Sequence, residues 1–282
     1  MTDPTRPGPT TRRMVHEVVG GRVTRRPDRV ITEEPLEIRL GWPGEAPQRV
    51  AVTMRTPGAD FELAAGFLMS EGVVPPGTPP RTLTYCLDST LTREQRYNVV
   101  TAQLDRPPLR RPAARFTTVS SACGVCGTQS LDDVFAPGSE ALACSDPVDP
   151  LVLGDLPDAL RSSQPAFTKT GAVHAAGVFD YAGSLRVARE DIGRHNAVDK
   201  VLGARLLGTA SYDEHSVLCV SGRVGFDVIT KAVAGRLSVV LGVGGPSSLA
   251  VQLADRAGVT LCGFARGGRY VVYTHASRLG GG

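Results

Sequence analysis

The sequence has few aromatic residues, almost no lysine and no long apolar run. Aromatic residues make up 5% of the 282 residues and the net charge is +3, so a base-stacking or strongly basic surface for nucleic acid is not expected. No apolar stretch approaches the ~20 residues of a membrane helix, and the N-terminal segment MTDPTRPGPTTRR lacks the apolar centre of a signal peptide. We therefore expect a cytoplasmic protein with no nucleic-acid or membrane partner.

Lysine is the scarcest charged residue. Of 31 basic residues only Lys169, Lys200 and Lys231 are lysines. An ammonium group is a compact point charge, whereas guanidinium is a planar fork. The lysines are therefore candidates for positions that need a point charge, and chance clustering explains the pattern equally well.

Cysteine is also scarce, with six in the chain. The length of the chain and the missing signal peptide favour reduced thiols over disulfides. Cys219 and Cys262 lie in strand-like apolar segments and are expected to be buried core thiols. Cys86 and Cys144 are isolated and suggest no role. Only two cysteines form a pair, at positions 123 and 126.

The fold class predicted from hydrophobic periodicity is α/β, or α+β overall. Two strands within 29–57, a helix that Asp60 caps, and a strand at 97–104 form a small ββαβ lobe. Further on, strands and helices alternate, which is typical of a mixed, mainly parallel sheet. The predicted later elements are a hairpin at 172–190, helices at 194–207, 224–234 and 247–257, and strands at 217–220, 238–243, 259–264 and 270–274.

The domain organisation predicted from these elements has four parts. The first 28 residues are expected to be disordered or loosely attached, and the Asp- and Pro-rich stretch at 145–158 to be irregular. The parts are the N-terminal segment 1–28, a β-rich lobe 29–113, an active loop 114–136 and an α/β lobe 137–282.

The CGVCG segment at 123–127 is the sharpest local motif. Glycines at 124 and 127 leave space around each sulfur. No acidic residue lies between Phe116 and Leu131, so no local charge opposes formation of a thiolate, the form that attacks. This environment favours nucleophilic sulfur chemistry on Cys123 and Cys126.

Four kinds of chemistry compete for this pair. Structural zinc usually needs a second pair, which is missing, although distant cysteines could contribute. A thioredoxin-like pair would open a helix after an N-terminal strand, whereas a Pro- and Arg-rich linker precedes this one. A zinc deaminase would need a glutamate in the segment His174-Ala175-Ala176, ahead of a Pro-Cys pair. A persulfide carrier, which holds and releases sulfur by thiol exchange, remains the preferred interpretation.

Two further regions are candidates for binding. The run REDIGRHNAVDK at 189–200 opens a helix that Asp191 is predicted to cap, and its polar residues, His195 included, suit either a cleft or a solvated surface. The loops after the parallel strands should meet at one edge of the sheet, where ligands bind. A helix N-terminus near Ser247 could cradle phosphate. Guanidinium groups suited to phosphate or a guanine edge come from Arg223, Arg266 and Arg269.

Taken together, these motifs resemble the FdhD family, the accessory sulfur carriers of formate dehydrogenase. The CGVCG loop together with EDIGRHNAVDK is a specific combination, and the resemblance runs from about residue 30 to the end. It rests on TPGADFELAAGFLMSEG (56–72), CGVCG (123–127), TGAVHAAGVF (170–179), EDIGRHNAVDK (190–200), SGRVGFDVITK (221–231), GGPSSLAVQLA (244–254) and GFARGGRYVVYT (263–274).

The resemblance implies a function and a set of site residues. The C-terminal lobe would be shaped like cytidine deaminase, without that activity or a bound metal. Sulfur would pass from a cysteine desulfurase to Cys123, with Cys126 as helper, and then to the molybdenum bis-molybdopterin guanine dinucleotide cofactor for the formate dehydrogenase catalytic subunit. A homodimer is expected. Candidates to bind the guanine nucleotide end are Phe264, Ala265, Arg266, Gly267, Gly268 and Arg269, together with Arg223, Ser247 and His195.

The chain also departs from the pattern of the family it resembles. Ala172 stands where the family commonly has Gly, Gly225 where it has Ser, and Asp227 where it has Glu. The segment GVGGPSSLAV replaces a SAPTSLAV-like segment. These departures affect the expected nucleotide pocket and leave the thiol motif intact.

Overall fold

The structure is a computed structural model that describes residues 7–86, 91–92, 95, 97–110, 141–142 and 146–280. It begins with two long antiparallel strands, β1 (Thr10–Val19) and β2 (Arg22–Ile31), joined at Gly20-Gly21. Both glycines have positive φ, which a two-residue hairpin turn requires. Within the segment 1–28 that was expected to be disordered or loosely attached, the chain therefore forms regular strands from residue 10 onward.

The first lobe is a four-stranded sheet covered by one helix. Its strand order is β4-β3-β6-β5, with β3 and β6 parallel. The sequence analysis missed β5 and placed a single strand over 29–40, where the structure ends β2 and begins β3. The elements are β3 (Glu34–Trp42), β4 (Glu45–Arg55), α1 (Asp60–Ser70), β5 (Thr82–Tyr85) and β6 (Val99–Gln103).

The second lobe is a six-stranded mixed sheet of order β12-β11-β10-β9-β7-β8. Parallel pairing is confined to the central strands β9, β10 and β11, and the outer pairings are antiparallel. The α/β class and the mixed sheet are thus confirmed, but the sheet is not mainly parallel, because three of its five pairings are antiparallel. The elements are α2 (Pro150–Ser162), α3 (Pro165–Thr170), β7 (His174–Asp180), β8 (Leu185–Asp191), α4 (Arg194–Leu206), β9 (Ser216–Val220), α5 (Phe226–Ala234), β10 (Val239–Gly242), α6 (Ser248–Arg256), β11 (Thr260–Arg266) and β12 (Arg269–Val272).

Helix α2 corrects the prediction of an irregular stretch at 145–158. The Asp149 carboxylate accepts a hydrogen bond from the Leu151 amide, and Pro150 occupies the first turn. Asp followed by Pro is a typical helix start. Leu153, Leu156 and Leu160 then fall on one buried face. The Asp-Pro helix start and the helical spacing of the leucines were both present in the sequence. The prediction gave more weight to the overall Asp and Pro content of the stretch.

The two lobes share one hydrophobic core because α1 packs directly against α4. A Cβ at Gly66 of α1 would overlap the Asp199 carbonyl of α4, and a Cβ at Gly203 would overlap the Glu62 carbonyl of α1. Glycine at both positions lets the two backbones touch. The first lobe is therefore fixed against α4, the helix that follows β8. Through this contact it supports the larger sheet.

Candidate functional site

The loops after β9, β10 and β11 meet at one edge of the six-stranded sheet, as predicted. Because β9 and β11 flank β10 in parallel, their carboxyl ends lie side by side. The Gly244 amide donates to the Gly222 carbonyl at 3.0 Å, and the Phe264 amide donates to the Gly244 carbonyl at 3.2 Å. These backbone hydrogen bonds tie the three loops into one surface.

Phe264 holds an unusual position on this surface. Its φ of 54° is left-handed, which is costly for a side chain of this size. The residue is 54% exposed, and its ring lies so close to Gly245 that a Cβ there would overlap it. The strained backbone thus holds an aromatic ring at this edge, where the ring is suited to stacking on a planar ligand.

The predicted cofactor-binding residues differ in accessibility. Ala265 is buried, and Ser247 caps α6 by accepting a hydrogen bond from the Ala250 amide at 3.2 Å. Gly267 and Gly268 adopt positive φ in the turn between β11 and β12. The exposed polar and aromatic members of the set are Arg223, Ser247, Phe264, Arg266 and Arg269.

A cavity of about 630 Å³ opens next to this edge. Ala265 and Arg266 belong to its wall, so it joins the predicted nucleotide loop. Much of the rest comes from α2 and α3, two helices that sequence analysis did not find. The wall also includes Leu160, Arg161, Gln164, Phe167, Val173, His174, Ile192, Ser221 and Val243. A space of this size, largely apolar and with a few polar groups, is typical of a small-molecule site.

The polar groups of the cavity wall have defined surroundings. His174 is half-buried, and burial together with the charges of Arg194 and Arg223 lowers its pKa. The Arg161 guanidinium lies 3.9 Å above the Phe167 ring. The Ser221 hydroxyl accepts from the Ala175 amide at 2.8 Å. His174 is therefore a neutral hydrogen-bonding group in a wall with positive charge nearby.

Most polar residues of the EDIGRHNAVDK segment are buried and do not form a solvated helix surface; Glu190 and Arg194 are partly buried. Lys200 is 2% exposed; its Nζ lies 2.7 Å from Asp191 and donates to the Thr56 carbonyl at 2.9 Å. Lys231 contacts both carboxylate oxygens of Asp199 at 2.8 Å. The point-charge prediction is confirmed for these two lysines. Lys169, by contrast, is exposed.

Asp191 does not cap the helix as predicted. The cap position is Gly193, and no side chain accepts from the first turn of α4. The Asp191 carboxylate instead accepts from the amides of Thr56 and Gly193, from Asn196, and pairs with Lys200. It is fully buried and holds the first lobe against α4, a role that only the tertiary contacts reveal.

His195 is 5% exposed, and neither ring nitrogen has a hydrogen-bond partner within the part of the chain that the structure describes. Burial, with Lys231 nearby, lowers its pKa to about 4. The Asp227 carboxylate and the Arg194 guanidinium, 3.4 Å apart, lie close to the same ring. His195 therefore stays neutral at physiological pH and is buried, unlike the exposed residues of the edge.

The buried His195 makes stability depend on pH. In the unfolded chain an imidazole protonates near 6.5, but in the fold only near 4, so acidification favours the unfolded state over that interval. We expect wild type to lose about 3 kcal/mol of unfolding free energy between pH 7 and 4 relative to His195→Gln. Urea titrations at several pH values measure this. His16→Gln, on the exposed hairpin, is the control; an equal slope in wild type and His195→Gln would contradict the expectation.

The thiols that the structure describes are not suited to sulfur chemistry. Cys219 and Cys262 are fully buried, as predicted, and burial raises the pKa of each to about 12. Cys86 is half-buried. Cys123, Cys126 and Cys144 lie outside the described residues. Within the described ranges no three His, Cys, Asp or Glu side chains cluster to hold a metal ion, and no helix there is long and apolar enough to span a membrane.

Comparison with known proteins decides the family. The sequence profile of the FdhD/NarQ family matches residues 31–280. The chain belongs to the FdhD/NarQ family. The chain is 45% identical over 275 residues to the sulfur carrier protein FdhD of Streptomyces coelicolor, covering 96% of this chain and 95% of the relative. It is 43% identical over 283 residues to that of Mycobacterium tuberculosis, covering 96% and 98%.

A solved structure shows the same fold. It is that of a protein from Desulfotalea psychrophila, described as a formate dehydrogenase accessory protein, with a TM-score of 0.71 and 24% identity. The match covers 96% of this chain and 99% of that protein. At 24% identity this likeness is evidence for the fold of the present chain alone.

Two departures from the usual pattern of the FdhD/NarQ family lie in contact. A Cβ at Gly225 would overlap the Asp227 carboxylate, so a larger residue at 225 is incompatible with this position of the Asp227 side chain. The two departures are thus coupled. They lie beside Arg194, just behind the functional edge.

Proposed function

We propose that this protein is a sulfur carrier for formate dehydrogenase, a sulfurtransferase that accepts sulfur as a persulfide on Cys123 and passes it to the molybdenum cofactor. Membership of the FdhD/NarQ family, with curated relatives named sulfur carrier proteins, carries this proposal. The CGVCG motif supplies a nucleophile of the required kind. The molybdenum bis-molybdopterin guanine dinucleotide is the substrate here and is not a resident cofactor.

The sulfur transfer is a thiol exchange. The Cys123 thiolate attacks the outer sulfur of a persulfide on a cysteine desulfurase, a new S–S bond forms, and the donor cysteine leaves as a thiolate. No net oxidation or reduction of the pair occurs. Cys126 lies three residues further along the chain, and its role in this proposal is to assist release of the sulfur to the next acceptor.

The loop edge and the cavity support a role in holding the guanine nucleotide end of the substrate. Phe264 offers an aromatic face for the base, while Arg266 and Arg269 offer guanidinium forks for phosphate. Arg223 lies exposed on the adjacent loop. Among the described residues, this edge combines an exposed aromatic ring, three arginines and a cavity large enough for a base and ribose.

The test of the carrier function is direct. After incubation with a cysteine desulfurase and cysteine, intact-mass measurement should show one added sulfur atom, removed by a reductant. A protein that gains no sulfur under conditions where the desulfurase is active would overturn the proposal. Stoichiometric zinc bound through the cysteine pair would favour a structural metal site instead.

Nucleotide binding should depend on the arginines of the β11–β12 turn. We expect the protein to bind GDP in preference to ADP, and Arg266→Ala or Arg269→Ala to weaken GDP binding about tenfold or more, because each lost charge-assisted contact costs ~1.5–3 kcal/mol. Calorimetry measures the affinities. Arg22→Ala, at the tip of the hairpin, is the matched control, and equal GDP affinity in all variants would remove this edge from the proposed function.

A further inference from the structure

The β1–β2 hairpin is an extended arm that the rest of the described chain does not cover. Beyond its base nearly every side chain is exposed, including those of Met14, Val18 and Val23, which are 53%, 64% and 61% exposed. A two-stranded ribbon is at best marginally stable alone in water. Exposed apolar residues on such a ribbon indicate a surface that is covered in a complex.

The two faces of the arm differ in chemistry. Cross-strand partners share a face, so the register places Arg12 opposite Arg29 and His16 opposite Arg25 on the same side as Met14 and the Val18–Val23 pair. This side contains no acidic residue, and we call it the arginine face. Its residues are Thr10, Arg12, Met14, His16, Val18, Val23, Arg25, Pro27, Arg29 and Ile31.

The opposite face carries three arginines and two carboxylates, a net charge of +1 against +3 on the arginine face. There the Arg26 guanidinium lies 2.9 Å from Glu17 and 3.3 Å from Asp28. No carboxylate of the described chain pairs with Arg12 or Arg25 on the arginine face. The excess positive charge is therefore larger on the arginine face, which also holds Met14, Val18 and Val23, whereas Val19 and Val30 are exposed on the opposite face.

The charge of the arm identifies the kind of partner. Residues 10–31 contain six arginines, one glutamate and one aspartate, a net charge of +4, so the remaining chain carries −1 of the total +3. A second copy of the chain thus offers an excess of only one negative charge to match the arm. The arm has no aromatic residue for base stacking. In a DNA groove, the carboxylates of Glu17 and Asp28 on the opposite face would meet phosphates.

The arm is joined to the candidate site. Strand β2 contacts α3, the helix whose Phe167 belongs to the cavity wall. Where it contacts α3, the arm therefore lies beside one wall of the cavity proposed to hold the guanine end of the substrate.

We propose that the arginine face of the hairpin docks an acidic, partly apolar segment of the protein that takes up the sulfurated cofactor, the formate dehydrogenase catalytic subunit. This inference rests on the proposed function and names the partner of its cavity. The free edge of β1 can add the segment as a third strand, with its acidic side chains over Arg12 and Arg25 and its apolar ones over Val18 and Val23.

The test compares the two faces of the same arm. Binding of the full-length protein to the purified apo catalytic subunit is measured by interferometry for wild type, for Arg12→Glu/Arg25→Glu, and for Arg13→Glu/Arg22→Glu on the opposite face. Both variants change the net charge equally and alter exposed positions. We expect the first to weaken binding about tenfold or more and the second to change it less than about threefold.

A second pair of variants tests the apolar contacts without changing charge. Val18→Ser/Val23→Ser on the arginine face should weaken binding, while Val19→Ser on the opposite face should not. Equal losses for both faces, no loss for either, or wild-type binding to duplex DNA that is tighter than to the subunit would overturn the docking proposal. The docking proposal would also be overturned if the only effect of the arginine-face variants were a loss of self-association, measured by sedimentation.

Sulfur loading separates this proposal from the proposed function. Desulfurase-dependent persulfide formation, measured by intact mass, should be the same in wild type and all arm variants. If wild type does not accept sulfur, the proposed function fails, whatever the binding data show. If loading is normal and the two faces behave alike, only the docking arm fails.

Discussion

Cys123→Ala is expected to accept no sulfur from a cysteine desulfurase, whereas Cys126→Ala should still form a persulfide. Glycine follows each cysteine of the pair directly, and no acidic residue lies between Phe116 and Leu131 to disfavour a thiolate. The assignment of the persulfide to Cys123 and of the helper role to Cys126 is what the resemblance to the FdhD family implies. Intact-mass measurement before and after reduction gives the stoichiometry. The expected change is from one added sulfur atom to none.

Cys86→Ala and Cys219→Ala serve as controls for this result. Cys219 is fully buried and its pKa is raised to about 12, so a thiolate there is rare at neutral pH and sulfur loading should not depend on it. Persulfide that survives Cys123→Ala and disappears in Cys126→Ala would reverse the assigned roles. Persulfide that survives both changes would contradict the carrier function of this pair.

Lys200→Met is expected to lower the free energy of unfolding by about 3–5 kcal/mol, because it leaves the buried Asp191 carboxylate without its cation. Lys200 Nζ also donates to the Thr56 carbonyl of the first lobe and to the Glu190 carbonyl at 3.2 Å. Loss of these contacts loosens the junction between the lobes. Urea-induced unfolding, followed by circular dichroism, measures the change.

Lys169, the lysine that lies on the surface, supplies a matched control. Lys169 is exposed at the end of α3, and Lys169→Met should alter the free energy of unfolding by no more than about 0.5 kcal/mol. A loss for Lys200→Met as small as that for Lys169→Met would show that the Asp191–Lys200 pair contributes little to the fold.

Periodic segments with clear ends were predicted well. The 194–207 helix and the strands of the central sheet appear within a few residues of their predicted bounds. Their apolar spacing and their Gly-containing ends are local properties, and parallel pairing then brings the loops at Gly222 and Gly244 together. The meeting of these loops at one edge could therefore be inferred before the structure was known.

The two missed helices have different causes. The α2 helix, with Asp149-Pro150 at its start, was hidden by an Asp- and Pro-rich composition. The short helix α3 receives its N-terminal cap from Glu190, whose carboxylate accepts from the Ala166 and Phe167 amides at 2.8 Å. That carboxylate is more than twenty residues away in sequence, so local patterns did not reveal the helix that closes one side of the cavity.

The sequence by itself determined the family, the cysteine pair and the alternation of strands and helices, because each depends on residues close together in the chain. Only the tertiary structure decided which polar residues are buried. In the sequence, Lys200 and Asp191 resemble surface residues. In the fold they are buried, because Thr56, more than 130 positions earlier, packs against them. The arginine face of the hairpin likewise emerges only from the register of β1 and β2. Burial and register depend on partners distant in sequence, and for that reason the fold was needed to place them.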